Sequence, residues 1–395
     1  MVPRSVPLIL LSLILLLPSS CGKPADRQER TETLQSGVVR ITYSNLSDRR
    51  LSLDTLAVWD LWDESSGYTF NRIHNAAGFE GGFVLLDSGN RHLVKLNMLG
   101  KVEVVMGGDG SGPGEFRYPR YLDICNDEIM AGDIMLQRYS VFGLDGEYKR
   151  DVRWQISTMP GESGIKVVDA NSVLYSVDSP MGPRFLLIDS LSDGGVADTL
   201  VSMDSLPIQL LEITAPDGRK ITFDTPPQFA PEIYWALTQG SRIVTVTTTD
   251  YQFEERDLTG HIHREVLAPT PDLSVTENIK EWFFENTVFG FSDDPGSYQA
   301  NQEIRNKWQF ADRRQAITAI KVDPFNRIWV QASTGDPEIT RMDIYDFQHK
   351  YLGNLGDIPM PMAFTTDGYA LVRVRQAGED ETDLYFVASL DSRLR

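Results

Sequence analysis

The sequence predicts an all-β fold, a six-bladed β-propeller of four-stranded antiparallel blades, closed by an N-terminal strand and carrying a small helical insertion between blades four and five. Three observations lead there. A strand-turn-strand unit recurs six times, at spacings that suit propeller blades. The last unit is one strand short. The N-terminal region has strand-like segments and no unit of its own.

The clearest unit runs from Gly82 to Gly107. It has an apolar strand (Phe83 to Leu86), a polar turn (Asp87 to Asn90), an alternating strand (His92 to Asn97), a turn at Gly100 and a third strand (Val102 to Met106), which together are hairpin signals. The second unit runs through Glu128 to Asp133, Gln137 to Leu144 and Glu147 to Val152. The third has Ser172 to Val177, Arg184 to Ile188 and Val196 to Val201. The fourth has Arg242 to Thr248, Tyr251 to Arg256 and Ile262 to Leu267. The fifth has Arg327 to Gln331, Thr340 to Phe347 and Tyr351 to Leu355, and the sixth Tyr369 to Val374 and Asp383 to Ala388. A short strand precedes most units: Ile165 to Val168, Tyr234 to Leu237, Ile317 to Val322 and Met362 to Thr365.

The sixth unit lacks a fourth strand, and Val38 to Trp62 offers strand character through Val38 to Tyr43 and Leu56 to Trp59. Supplying the missing strand from there closes the ring and removes an exposed edge. Ala268 to Gln315 is too long for a bare connection. Ser274 and Glu277 read as a capping box for a helix presenting Ile279, Trp282 and Phe283, and a second helix is expected over Tyr298 to Ala311 with Ile304, Trp308 and Ala311 as its stripe. Leu206 to Phe229, with Ala215-Pro-Asp-Gly218 between apolar runs, reads as an inserted hairpin.

The N-terminus is an address. Arg4, an apolar run from Leu8 to Leu17 and the small pair Ser19-Ser20 make a secretory signal too short to span a bilayer comfortably. Cys21 directly after that pair resembles a bacterial lipoprotein lipobox, in which the cysteine is acylated and becomes the new N-terminus. Pro18 departs from that pattern, which prefers leucine three residues before the cysteine. The expected organisation is a signal over 1–21, a flexible polar tether over 22–36 and the propeller over 37–395. The implied location is the cell envelope, outside the cytoplasm, with a membrane as the partner of the anchor.

Composition excludes several functions. A net charge of −19 argues against nucleic acid as a partner, and two cysteines exclude a disulfide scaffold. The glycine-rich stretch from Gly107 is followed by Phe116-Arg-Tyr-Pro119 and no helix, so it reads as a turn between blades rather than a phosphate cradle. No Gly-x-Ser-x-Gly elbow occurs. Cys125 reads as a small buried residue. His261 and His263 share one face of a strand expected at an exposed edge, a weak metal site, and Glu379 to Asp383 reads as a solvated acidic turn.

Asp87-Ser-Gly-Asn-Arg-His92 followed by Gly107-Gly-Asp-Gly-Ser-Gly-Pro-Gly-Glu-Phe-Arg-Tyr-Pro119 resembles the NHL-type repeat. The chain beyond the signal is similar to the six-bladed β-propeller lipoproteins of bacterial envelopes. Good motifs are confined to the first two blades, and the others match by layout. The resemblance implies a binding or scaffolding module for a protein or small-molecule ligand, with no assigned cofactor. Related propeller enzymes, the gluconolactonase-like lactonases and amidating lyases, hold a divalent metal such as Ca²⁺ in the central channel. A metal-dependent hydrolase or lyase is therefore the alternative, although their ligands do not map onto this chain residue by residue. His74 is the best single channel candidate.

Topology says where a ligand would sit. Blade-to-blade loops and the loops between second and third strands open on one face, together with the Ala268 to Gln315 insertion. Arg72, Arg91, Arg120, Arg138 and Arg184 fall on or near this rim and suit an anionic ligand. Arg91, Arg138, Trp282 and Trp308 are the expected ligand contacts, and no catalytic residue is assigned.

Overall fold

A computed structural model describes residues 29–62, 67–153, 160–169, 172–177, 184–190, 198–204, 209–215, 218–287, 302–375 and 383–390. The signal with Cys21, residues 288–301 of the insertion and residues 379–382 of the acidic turn lie outside them. The described chain is all-β and is built largely of four-stranded antiparallel sheets, an architecture that fits a β-propeller.

The first sheet is a meander of Ile73–Phe79, Gly82–Asp87, His92–Asn97 and Val102–Gly107. Pro119–Cys125, Glu128–Asp133, Arg138–Gly143 and Tyr148–Arg153 make the second. The third holds Pro160–Asp169, Ser172–Val177, Arg184–Ser190 and Asp198–Met203, and is followed by a separate hairpin of Gln209–Thr214 and Lys220–Thr225. Tyr234–Leu237, Ile243–Val246, Gln252–Arg256 and Ile262–Leu267 form the core of the fourth. The fifth is Ile317–Val322, Ile328–Ser333, Thr340–Tyr345 and Tyr351–Asn354, and the sixth Ala363–Phe364, Tyr369–Arg375, Asp383–Ser389 and, outermost, Asp54–Asp60.

Alternation along the strands explains how these sheets hold together. All six residues of Gly82–Asp87 are buried. Phe83 and Leu85 join a cluster with Leu371, Tyr385 and Val387 of the sixth sheet, whereas Val84 and Leu86 join one with Leu122, Ile129 and Phe142 of the second. A strand with period two feeds two interfaces, provided sheets cover both of its faces. The same sorting joins second to third, third to fourth, fourth to fifth and fifth to sixth sheets. Each sheet thus packs face to face on its neighbours around a closed circuit.

The N-terminal region divides its strands between two sheets. Asp54–Asp60 pairs antiparallel with Asp383–Ser389 in the register Asp60 to Leu384 and Asp54 to Ser389. Trp59 is buried there, edge-on to Phe83 at 5.7 Å, and its indole Nε1 donates to the Met98 carbonyl at 3.3 Å. Val39–Tyr43 goes elsewhere, lying parallel to Ile262–Leu267 on the fourth sheet. Glu29–Thr33 pairs antiparallel with Val39–Tyr43, so part of the segment read as a tether is a strand. Between these sites the chain crosses the fifth sheet, where Leu51 N donates to the Asn354 carbonyl at 2.7 Å and Asn354 N to the Arg49 carbonyl at 2.9 Å.

Within the insertion, Glu277–Asn286 is an α-helix and 302–307 a shorter helical turn. The expected capping box does not form. The N-cap is Thr276, without a side-chain cap bond, and Ser274 Oγ instead donates to Asp272 at 2.7 Å. Ile279 and Phe283 are buried, while Trp282 is half-buried one residue away. Among the described residues no helix is long and apolar enough to cross a membrane.

Candidate functional site

On the rim, buried aspartates end the second strands of the first two sheets. Asp87 Oδ1 accepts the Arg72 backbone N–H at 2.8 Å, and its Oδ2 accepts Asn71 N at 2.9 Å and Asn90 Nδ2 at 2.9 Å. Asp133 accepts Arg117 N at 2.7 Å and Tyr118 N at 2.8 Å. A carboxylate receiving several N–H groups fixes the incoming loop to the strand end, which accounts for the Asp87 to His92 motif as a structural device.

Arg91 and Arg138 serve the same rim. Arg91 adopts φ 60°, pairs with Asp109 at 3.0 Å and donates through Nε to the Arg117 carbonyl at 3.0 Å. Arg138 pairs with Asp151 at 2.8 Å and donates through Nη2 to the carbonyls of Gly112 and Glu115. Between them they brace the glycine-rich loop, where Phe116 is fully buried and Phe116 N donates to the Gly108 carbonyl at 2.8 Å. They lie on the first two sheets, away from the tryptophans of the insertion. Trp308 packs on Phe283 at 6.0 Å and is not among the residues lining the cavity described next.

Trp282 lines a cavity of about 320 Å³. It forms where the loops of the third, fourth and fifth sheets meet beneath the helix. Arg184 contributes from the third sheet, Phe229, Glu232 and Tyr234 from the approach to and start of the fourth, and Arg314, Gln315 and Thr318 from the approach to and start of the fifth. The helix is seated by aromatic contacts of Phe283 with Phe229 at 5.9 Å and Phe310 at 5.4 Å. Trp282 Nε1 donates to Glu338 at 3.2 Å. Gln315 acts as a two-way clip: its Oε1 accepts Glu232 N at 3.0 Å while Nε2 donates to the carbonyls of Glu232 at 3.0 Å and Thr248 at 3.1 Å.

Two arginines of this cavity are each only 7% exposed. Arg184 donates to the Pro231 carbonyl, and Arg314 donates through Nη2 to the carbonyls of Thr334 and Gly335, both at 2.9 Å. Burial pulls the Arg314 guanidinium below its ordinary pKa, against the opposing field of Asp336. Arg184 was among the rim arginines expected from the sequence. Arg314 was not, and the only sequence signal for it is its place in Arg313-Arg314-Gln315 just ahead of an inner strand.

The innermost strands carry a second polar group. Lys166 pairs with Asp123 at 2.6 Å, and Asp123 also accepts Val167 N at 2.9 Å. Lys321 Nζ donates to the Met362 carbonyl at 2.7 Å, and burial, together with Lys166, lowers its pKa to about 7. His74 is exposed beside Arg120, whose Nη1 lies 3.2 Å from His74 Nε2.

Among the described residues no three His, Cys, Asp or Glu side chains converge as metal ligands do. His263 Nε2 sits 2.8 Å from Asp257, which also accepts Thr259 and His261 backbone N–H groups, so this histidine braces a turn. It lies on an inner-paired strand rather than a free edge, because Val39–Tyr43 covers it. Burial and nearby Asp123 push the half-buried Cys125 thiol upward, away from nucleophilic use.

No described protein family matches the chain, and no curated protein does. Solved structures match by shape. A DUF4221 family member from Bacteroides vulgatus is 11% identical, with 87% of this chain and 98% of that one covered and a TM-score of 0.54. A protein from Bacteroides fragilis described as exported is 15% identical, covers 89% and 99%, and has a TM-score of 0.48. A glutaminyl cyclase from Myxococcus xanthus is 10% identical, covers 75% and 97%, and has a TM-score of 0.32. The likeness to the DUF4221 member, at 11% identity, concerns fold alone, and it agrees with a propeller-like architecture.

Proposed function

We propose that this chain is an exported, lipid-anchored six-bladed β-propeller that binds a ligand in the cavity beneath helix Glu277–Asn286. The cavity is the observation that carries the reading. Loops of three sheets converge on it, Trp282 of the helix Glu277–Asn286 lines it, and its lining mixes aromatic walls with a few inward polar groups, as ligand sites do. Six successive sheets packed in a circuit support the blade count, with Asp54–Asp60 as the closing strand. The short apolar run ending at Cys21 supports export and acylation, and the proposed membrane attachment needs two acyl chains to be stable.

A binding role is preferred over a metal-dependent hydrolase or lyase. The cavity lining carries two arginines against a single carboxylate, Glu232, and the inner-strand Asp123 is paired with Lys166, a set poor in the oxygen ligands a divalent cation takes. Hydrogen exchange on the mature protein during a small-molecule screen tests the reading. Ligand-induced protection is expected at 225–232, 277–286 and 314–340. Protection confined to outer strands or to the opposite face overturns it, and a stoichiometric, tightly held Ca²⁺ or Zn²⁺ in purified protein restores the enzyme alternative. For the address, Cys21→Ser is expected to abolish palmitate labelling and membrane fractionation.

A further inference from the structure

The two buried arginines of the cavity are held by backbone carbonyls rather than by direct ion pairs, and Glu232 is the one carboxylate on the lining. Neither Arg184 nor Arg314 has a carboxylate within ion-pair distance among the described residues, and their recorded partners are backbone carbonyls. The Arg314 Nε is enclosed with no hydrogen-bond partner among the described residues. Burying a guanidinium without an anion costs stability, and a buried N–H without an acceptor adds to that cost. Both side chains line one cavity, so one anion there offsets the missing charge of both.

We propose that this cavity takes a small organic monocarboxylate, whose carboxylate is received by Arg184 and Arg314 and whose apolar body lies against Trp282 and Phe229. The inference rests on the cavity being the ligand site. Charge sets the valence: two guanidiniums and Glu232 line the space, leaving one net positive charge, which one carboxylate neutralises and a phosphate dianion overshoots. Asp336, whose field also reaches Arg314, weakens the pull on any anion and does so most for a dianion. Shape agrees, because guanidinium forks match a planar carboxylate. A volume of about 320 Å³, lined by Pro226, Pro227 and Ile339 beside the two aromatics, suits a compact acid with an apolar end.

Titration calorimetry of the mature protein with phenylacetate and hexanoate, against phenylacetamide and hexanamide, tests this without any variant. The acids are expected to bind at millimolar concentration or below, and each amide at least about tenfold more weakly. Arg314→Met and Arg184→Met are expected to erase the acid-over-amide preference, while Arg314→Lys keeps part of it. Amides binding as tightly as acids, inorganic phosphate outcompeting both acids, or no carboxylate binding at millimolar concentration overturns the carboxylate assignment. Hydrogen exchange on the same samples separates the two levels. Amide binding with protection at 277–286 leaves the cavity as the site and removes only the carboxylate, whereas protection elsewhere removes both.

Discussion

The Tyr251 hydroxyl, on the fourth sheet, donates to Asp343 Oδ2 on the fifth at 2.9 Å in a fully buried setting. Tyr351 donates to the other oxygen at 2.9 Å, Arg341 adds Nη2 at 2.9 Å, and Tyr345 reaches the Tyr251 hydroxyl at 3.1 Å. The carboxylate thus sits in a satisfied polar network that spans one inter-sheet boundary. Tyr251→Phe removes a donor from a buried charge and is expected to cost about 1.5–3 kcal/mol in urea unfolding. Tyr345→Phe, which removes only the outer hydroxyl, is expected to cost less. Equal losses would mean the network is not organised around Asp343.

His349 supplies a pH dependence with a definite sign. Burial, reinforced by Arg264 and Arg242, lowers its pKa from 6.5 to about 3. The unfolded chain therefore binds this proton first as pH falls. Its contribution to stability is full above about pH 6.5 and declines progressively toward pH 3. His349→Asn suits the site because the residue holds φ 67°, which asparagine tolerates. Thermal melts between pH 8 and pH 4 are expected to fall less steeply in this variant, and an unchanged slope would contradict the assignment.

Lys321 acts in the alkaline range. With its amine at about 7 when folded and 10.5 when free, the folded protein releases this proton first as pH rises. Stability from this group therefore increases between those two values and is lowest below pH 7, where a buried ammonium is held by the Met362 carbonyl. Lys321→Met is expected to raise the melting temperature at pH 7 and to flatten the rise toward pH 10. A lower melting temperature at both pH values would show that the Met362 bond outweighs burial.

Gly107 tests the rim. Its φ is 90°, and a Cβ there would lie 2.6 Å from the Phe116 ring. Gly107→Ala is expected to destabilise by about 1–3 kcal/mol, through overpacking against a buried ring and a backbone conformation that disfavours side chains. Gly37, with φ 86° and open space around it, is the control, and its alanine variant is expected to lose less.

Trp59 tests closure. It lies 3% exposed on the outermost strand of the sixth sheet and contacts the first. Trp59→Ala is expected to cost about 3–5 kcal/mol in chemical denaturation. Val58 is 50% exposed on the same strand, and Val58→Ala is expected to be near neutral.

Much of this arrangement is legible in the sequence, for a physical reason. Apolar runs such as Phe83 to Leu86, alternating runs such as His92 to Asn97 and turn signals such as Asp145-Gly146 are local, so strand positions follow from neighbours along the chain. The partner chosen by a strand is not local. Val39–Tyr43 and Asp54–Asp60 have similar patterns, yet one lies on the fourth sheet and the other on the sixth, decided by which edge each segment can reach. The candidate site divides the same way. Trp282 was foreseeable from the length of the insertion. Arg314 could not be told from Arg313 by sequence, since only packing turns one inward and leaves the other paired with Asp250 at 2.8 Å.

The first described residues run along the outside of three consecutive sheets, pairing on the fourth, crossing the fifth at Asn354 and pairing again on the sixth. A pull on the chain ahead of residue 29 is therefore met first by Glu29–Thr33 and Val39–Tyr43, whose ladders would have to part before tension reached Asp54–Asp60. The strap works as a strain relief. Under the proposed N-terminal anchoring, drag at that end is spent on outer strands, and the inner strands bearing Lys321 stand last in the line of force.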